Sequence, residues 1–139
     1  MVSADFALRR AHLLDEVEAY HRAVTREALH AILLERYAQK SGTACALINW
    51  HVLETMALPR VLAHMPMQHL LGVCALLIRN LSELRRGLPD LFVVDAQGRY
   101  ELVEVKGPND QLQPGQRVWF RHFERLGIPA RVIKLRLAQ

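Results

Sequence analysis

The hydrophobic periodicity of this 139-residue chain changes once, at Gly87, and that change limits the folds open to it. No glycine precedes Gly42 and no proline precedes Pro59. The opening forty residues are rich in Ala, Leu, Glu and Arg, all strong helix formers. Phe6, Leu13, Val17, Tyr20, Val24, Leu29, Ile32 and Leu33 recur at roughly helical spacing. They predict one long helix, or two joined near Tyr20–Thr25, ended by Gly42. Ala46–Met56 reads as a short helix stopped by Pro59, with a turn running on to Pro66. Met67, Leu70, Leu71, Cys74, Leu77, Leu81 and Leu84 then trace one helical stripe to Arg86, which Gly87 caps.

From Leu88 the period shortens. Asp90–Val94 and Tyr100–Lys106 are Val-, Leu- and Phe-rich runs on either side of Asp95-Ala96-Gln97-Gly98-Arg99. They predict a hairpin with Gly98 as the left-handed residue of a three-residue loop. Pro114 opens a helix at its first turn, where a missing N–H costs nothing. Trp119, Phe120, Phe123 and Leu126 form its inner face, with Trp119 as core, and Gly127 ends it. Ala130–Leu135 is a last strand, parallel to the second through the helical crossover. The expectation is an α/β (α+β) chain: a helical part over 1–86, then a β-β-α-β core over 87–139 with a mixed sheet, together one domain.

Charge follows the same division. Residues 1–84 hold eight basic and eight acidic side chains, whereas residues 85–139 hold ten and six and carry the whole net charge of +4. A basic segment favours a polyanion partner. The longest apolar run, Leu70 to Ile78, is far short of the about 20 residues that span a bilayer. Met1–Arg10 lacks the apolar stretch of a signal peptide. Cys45 and Cys74 have no metal or disulfide spacing and read as buried, reduced thiols. These features predict no membrane partner and a cytoplasmic protein, nucleoid-associated if bacterial.

A loop of Ala96-Gln97-Gly98 sets Asp90 opposite Glu104. Side chains on a strand alternate, so Glu104 and Lys106 share a face with Asp90 across from them, while Val103 and Val105 point away. Carboxylates about 5 Å apart repel by about 3 kcal/mol at an effective dielectric near 20. A divalent cation removes that repulsion, and hard oxygen ligands suit Mg²⁺ or Mn²⁺. Lys106 beside the ion could polarise a phosphate or orient a water, which completes the parts for metal-assisted phosphodiester hydrolysis. By alternation alone, the same three residues read as the wet face of an exposed hairpin.

The flanking residues extend the pattern. Gly87-Leu88-Pro89-Asp90, then Glu104-Val105-Lys106-Gly107-Pro108, Asn109-Asp110 and Gln116-Arg117-Val118-Trp119 together resemble the VRR-NUC (virus-type replication-repair nuclease) family of the PD-(D/E)xK superfamily. Leu47-Ile48-Asn49-Trp50 and the helix over 68–86 are more loosely similar to the C-terminal nuclease part of the Fanconi-associated nucleases. The resemblance implies Asp90 and Glu104 as metal ligands, Val105 as a backbone-carbonyl ligand, Lys106 as the catalytic lysine and Gln116 as a helper near the scissile phosphate. It also implies Mg²⁺ or Mn²⁺ as cofactor, and cleavage of branched or flapped DNA in DNA repair. Gln116 is open to a second reading, as a first-turn capping residue. Arg85 and Arg86 read as phosphate contacts or as helix C-terminal charges satisfying the macrodipole. None of the seven histidines has ligand spacing.

One element of the family pattern is missing, a glutamate on a helix before the sheet. Glu16, Glu18, Glu27 and Glu35 lie in helical sequence, but each reads as a solvated charge. The favoured expectation is that the chain is the C-terminal piece of a longer nuclease, whose N-terminal remainder is a partner. Two alternatives stand: a non-catalytic DNA-binding module, and an interaction domain built on the helical half. The resemblance is compatible with a monomer or a weak homodimer.

Overall fold

The computed structural model describes residues 6–44, 50 and 57–136. The helical part comprises α1 (Phe6–Arg9), α2 (Ala11–Ala23), α3 (Arg26–Lys40), α4 (Ala57–His64), α5 (Met67–Arg79) and α6 (Leu81–Leu84). Strands β1 (Leu91–Val94) and β2 (Tyr100–Lys106) follow, then α7 (Pro114–Leu126) and β3 (Ala130–Lys134).

The break expected near Tyr20–Thr25 falls at Val24 and Thr25. Val24 is extended, and the Thr25 hydroxyl accepts the Ala28 N–H at 3.2 Å, satisfying a donor that α3 leaves unpaired. Three other boundaries differ from the sequence reading. Arg10 (φ −123°, ψ 16°) separates α1 from α2, a break the sequence does not announce. Pro59 does not stop a helix. It lies in the first turn of α4, where its missing N–H has no intrahelical partner to lose, so the expected turn towards Pro66 is helical. The helix expected to run unbroken to Arg86 is interrupted at Asn80 (φ −128°, ψ 40°), whose carbonyl accepts the Leu84 N–H and starts the short α6. The helix expected over Ala46–Met56 lies outside the described residues except Trp50, which is helical.

The sheet has the order β1-β2-β3, antiparallel and then parallel, as the β-β-α-β reading requires. Leu91 pairs with Val103 and Val94 with Tyr100, the register the three-residue loop dictates. Gly98 takes φ +78°, and its N–H donates to the Asp95 carbonyl at 3.0 Å. In the parallel ladder Leu102 pairs with Ala130 and Lys106 with Lys134.

Helix α7 lies on the face of β2 that carries Tyr100, Leu102, Glu104 and Lys106. Trp119 (0% exposed) and Phe123 (1%) form the centre of the core with Leu84, Met65, Tyr100 and Ile128. The Trp119 indole donates to the Leu84 carbonyl at 3.1 Å and the Arg86 carbonyl at 3.2 Å, pinning α7 to the end of α6. At the far end Gly127 adopts φ +69° and its N–H closes the helix on the Glu124 carbonyl. The Tyr100 hydroxyl reaches His69 Nδ1 of α5 at 2.6 Å. Burial pushes the phenol up to about 12 and the imidazole below its usual value.

An apolar cavity of about 710 Å³ opens among α2, α3, α4 and α5. Cys74 lines it and is open to the cavity, not enclosed in the core beneath α7, yet burial within the cavity wall still pushes its thiol above the usual value, so the expected buried thiol is met only in part. Cys45 lies outside the described residues. No helix among the described residues is long and apolar enough to cross a membrane.

Candidate active site

Three sequence-distant segments meet at the end of β2. Gly87 makes the meeting possible. It adopts φ +94°, and a Cβ there would lie 2.8 Å from the Gly115 carbonyl carbon and 2.9 Å from the Gln116 nitrogen. Only a residue without a side chain lets the turn after α6 approach the first turn of α7 so closely. Asp90 begins beyond the edge of β1, and its Oδ2 accepts the Val105 N–H at 2.9 Å. The carboxylate thereby occupies an amide of β2 that the short first strand leaves unpaired, and it is fixed opposite Glu104.

Glu104 lies on the α7 face of β2 and is 2% exposed. Its Oε1 is 2.8 Å from Lys106 Nζ and also accepts the Gln116 side-chain amide. Its Oε2 is buried without a partner among the described residues. The Lys106 side chain is 11% exposed. The wet-hairpin reading is therefore overturned for Glu104 and Lys106, which α7 covers, while Asp90 remains exposed; alternation alone carries no information about what packs on a face.

Gln116 takes the capping role that one of its two readings gives it, and it also meets Glu104. As the fourth residue of the Gln113 capping box, its Oε1 accepts the Gln113 N–H at 2.9 Å. Its amide nitrogen remains free to donate to Glu104. Capping holds the side chain in place, and the helix start delivers it to the carboxylate. Asp110, which in the sequence is only part of a motif, fastens the turn after β2 by accepting the Gly107 N–H on its Oδ2 at 3.0 Å. The motifs do not include Gln113, although its place before Pro114 marks an N-cap.

Arg85 and Arg86 are exposed at the end of α6, and neither has a carboxylate partner among the described residues. The upstream glutamates do not join the site. Glu18 pairs with Arg79 at 2.9 Å and Glu35 accepts from Gln39 at 2.8 Å. Among the described residues no three His, Cys, Asp or Glu side chains gather as a metal-holding group. The donor set is two carboxylates, which fits Mg²⁺-like ions better than zinc, because such ions are held by one or two carboxylates with water and substrate phosphate completing the shell. The unpartnered Glu104 Oε2 fits the same group, since a buried carboxylate oxygen without a donor calls for a cation.

A family model described as the VRR-NUC domain matches residues 24–136. Fanconi-associated nuclease 1 of Homo sapiens is 33% identical over 129 residues, covering 91% of this chain and 13% of the human protein. The homolog of Pseudomonas aeruginosa is 34% identical over 136 residues, covering 96% of this chain and 24% of the relative. The crystal structure of paFAN1 bound to 2-nucleotide 5′-flap DNA with a gap superposes with a TM-score of 0.86 at 32% identity, over 99% of this chain and 25% of that one. Its complex with a 1-nucleotide flap gives 0.87 at 30% identity. The chain thus spans no more than a quarter of the length of these relatives.

Proposed function

The chain belongs to the VRR-NUC domain family, and from that premise we propose that it is the catalytic part of a divalent-cation-dependent nuclease that hydrolyses phosphodiester bonds in branched or 5′-flapped DNA during repair. The observation that carries the reading is Glu104: a carboxylate withdrawn from water, gripped on one oxygen by Lys106 and Gln116, with its other oxygen unpartnered and Asp90 fixed across the hairpin. A purely structural ion pair would leave no such oxygen open, because an unsatisfied buried acceptor costs about 1–3 kcal/mol.

Asp90 and Glu104, with the Val105 carbonyl, would hold the ion, Mg²⁺ or Mn²⁺. When bound, the ion would supply Lewis-acid polarisation of the scissile phosphate. The chain's own residues do the rest. Lys106 keeps a positive charge within reach of the phosphate, where it offsets charge that grows as the bond to phosphorus forms. It also orients the attacking water by donating to it. The Gln116 amide fixes the rotamer of Glu104, and the capping box fixes Gln116. Arg85 and Arg86 lie before the Gly87 turn and contact phosphates flanking the cut. The solved relatives hold 5′-flap DNA, which supports the same substrate class here.

A second reading is favoured by the donor count. With only two carboxylates gathered among the described residues, this chain by itself would be a DNA-binding module that needs a further acidic ligand to cut. One experiment separates the two: an end-labelled 5′-flap duplex incubated with the full chain, with Mg²⁺ or Mn²⁺ or with chelator. Cleavage only with the metal, and lost in Lys106→Met, supports the nuclease. Cleavage that survives chelation, or an unimpaired Lys106→Met, overturns it. Metal-insensitive binding without cleavage establishes the second reading.

A further inference from the structure

Helix α7 carries three arginines the site does not use. Arg117, Arg121 and Arg125 are exposed and recur every four residues, which on a helix rising 1.5 Å per residue sets one cation about every 6 Å along the axis. At 100° per residue the row starts about a quarter turn from Gln116 and winds to the side opposite Trp119 and Phe123. Its first member is anchored: Arg117 Nε donates to the Leu112 carbonyl at 3.1 Å. Arg121 and Arg125 have no carboxylate partner among the described residues, and Glu124 is the one acid on this side of the helix. Three other arginines are neutralised, Arg99 by Asp95 at 2.7 Å, Arg131 by Glu101 at 2.8 Å and Arg79 by Asp15 at 2.7 Å, whereas Arg85 and Arg86, like Arg121 and Arg125, have no carboxylate partner among the described residues.

We propose that Arg117, Arg121 and Arg125 form a ridge that tracks the phosphates of the double-stranded arm leading away from the Glu104 site. The inference rests on the nuclease reading and adds the path the substrate takes. Unpaired guanidinium groups on a rigid helix suit a stiff, regular row of phosphates. A single strand would be gripped by base stacking on exposed aromatic rings, and this face of α7 presents none, since Trp119, Phe120 and Phe123 pack inward. The ridge reads no sequence, because phosphate contacts position the duplex without distinguishing its bases.

The test is the salt dependence of binding by the full chain, in chelator so that nothing is cut, to a blunt duplex and to a single strand of equal length. Each lost phosphate contact lowers the slope of log K against log salt by about 0.9 on duplex. The pair Arg121→Ala and Arg125→Ala together is expected to lower it by about 1.8, so the double variant loses about twelvefold less affinity than wild type between 50 and 200 mM salt. Alanine keeps the helix intact. Arg131→Ala, whose arginine is already paired with Glu101, is expected to leave the slope unchanged. Wild-type binding with an unaltered slope in the double variant overturns the ridge and leaves the nuclease reading standing. An equal loss in Arg131→Ala, or a loss confined to the single strand, also overturns it. A wild-type chain that binds no DNA refutes the nuclease reading itself, and the ridge with it.

Discussion

Lys106→Ala separates a buried ion pair from a solvated one. The Lys106 ammonium lies 2.8 Å from a Glu104 carboxylate that is 2% exposed. Removing one partner of a buried pair costs about 3–5 kcal/mol, because the other charge remains without compensation. Two features reduce that here: Lys106 keeps 11% of its side chain in water, and the Gln116 amide still donates to Glu104. A loss of about 2–3 kcal/mol is expected, which for a chain of this size lowers Tm by about 8–12 °C. Thermal unfolding followed by circular dichroism, in chelator, measures it. The double variant Glu104→Gln with Lys106→Met removes both charges and should recover most of the loss, since a buried pair exchanged for neutral groups is often nearly neutral. Added Mn²⁺ should raise Tm in Lys106→Ala more than in wild type, the ion replacing the missing cation. A Tm within about 2 °C of wild type for Lys106→Ala, or additive losses in the double variant, would refute the buried-pair geometry.

Gly87→Ala should lose about 2–4 kcal/mol by chemical denaturation, since the position combines φ +94° with a Cβ 2.8 Å from backbone; a near-neutral result would mean the turn and α7 are not in contact. Gln116→Glu keeps the acceptor for the Gln113 N–H but sets a second carboxylate against Glu104. It should be destabilised in chelator and regain stability on acidification, and a flat pH response would contradict the contact. His69 has an imidazole lowered by burial, so its stabilising contribution is present above about pH 6.5 and lost as pH falls below that. Tm should decline on that acid limb, and His69→Gln should flatten it; an unaltered limb would place the titrating group elsewhere.

Features with a local determinant are legible in the sequence, and those set by distant contacts are not. The hairpin register follows from loop length and Gly98, both written in adjacent residues, so Asp90 opposite Glu104 can be read directly. Pro114 and Gly127 mark their helix ends for the same reason. The break at Asn80 is hidden because Leu81 and Leu84 continue the apolar stripe across it. Pro59 misleads because a proline is equally at home just after a helix and in a first turn. The dryness of the Glu104–Lys106 face depends on where α7 comes to rest. That is decided by the Trp119 indole meeting carbonyls more than thirty residues away and by the clearance at Gly87, neither of which a strand pattern encodes. The capping role of Gln116 is readable from its place in the first turn after Pro114, whereas the contact of its amide with Glu104 exists only once the helix is packed.

The central claim, that Asp90 and Glu104 form a divalent-cation site, is tested most directly by calorimetric titration of Mn²⁺ into wild type, Asp90→Ala and Glu104→Gln, without DNA. One ion per chain is predicted for wild type, with affinity lost in Glu104→Gln and weakened at least tenfold in Asp90→Ala, about 1.4 kcal/mol or more. Equal affinity in all three proteins would contradict the assignment, as would a wild-type chain that takes up no Mn²⁺.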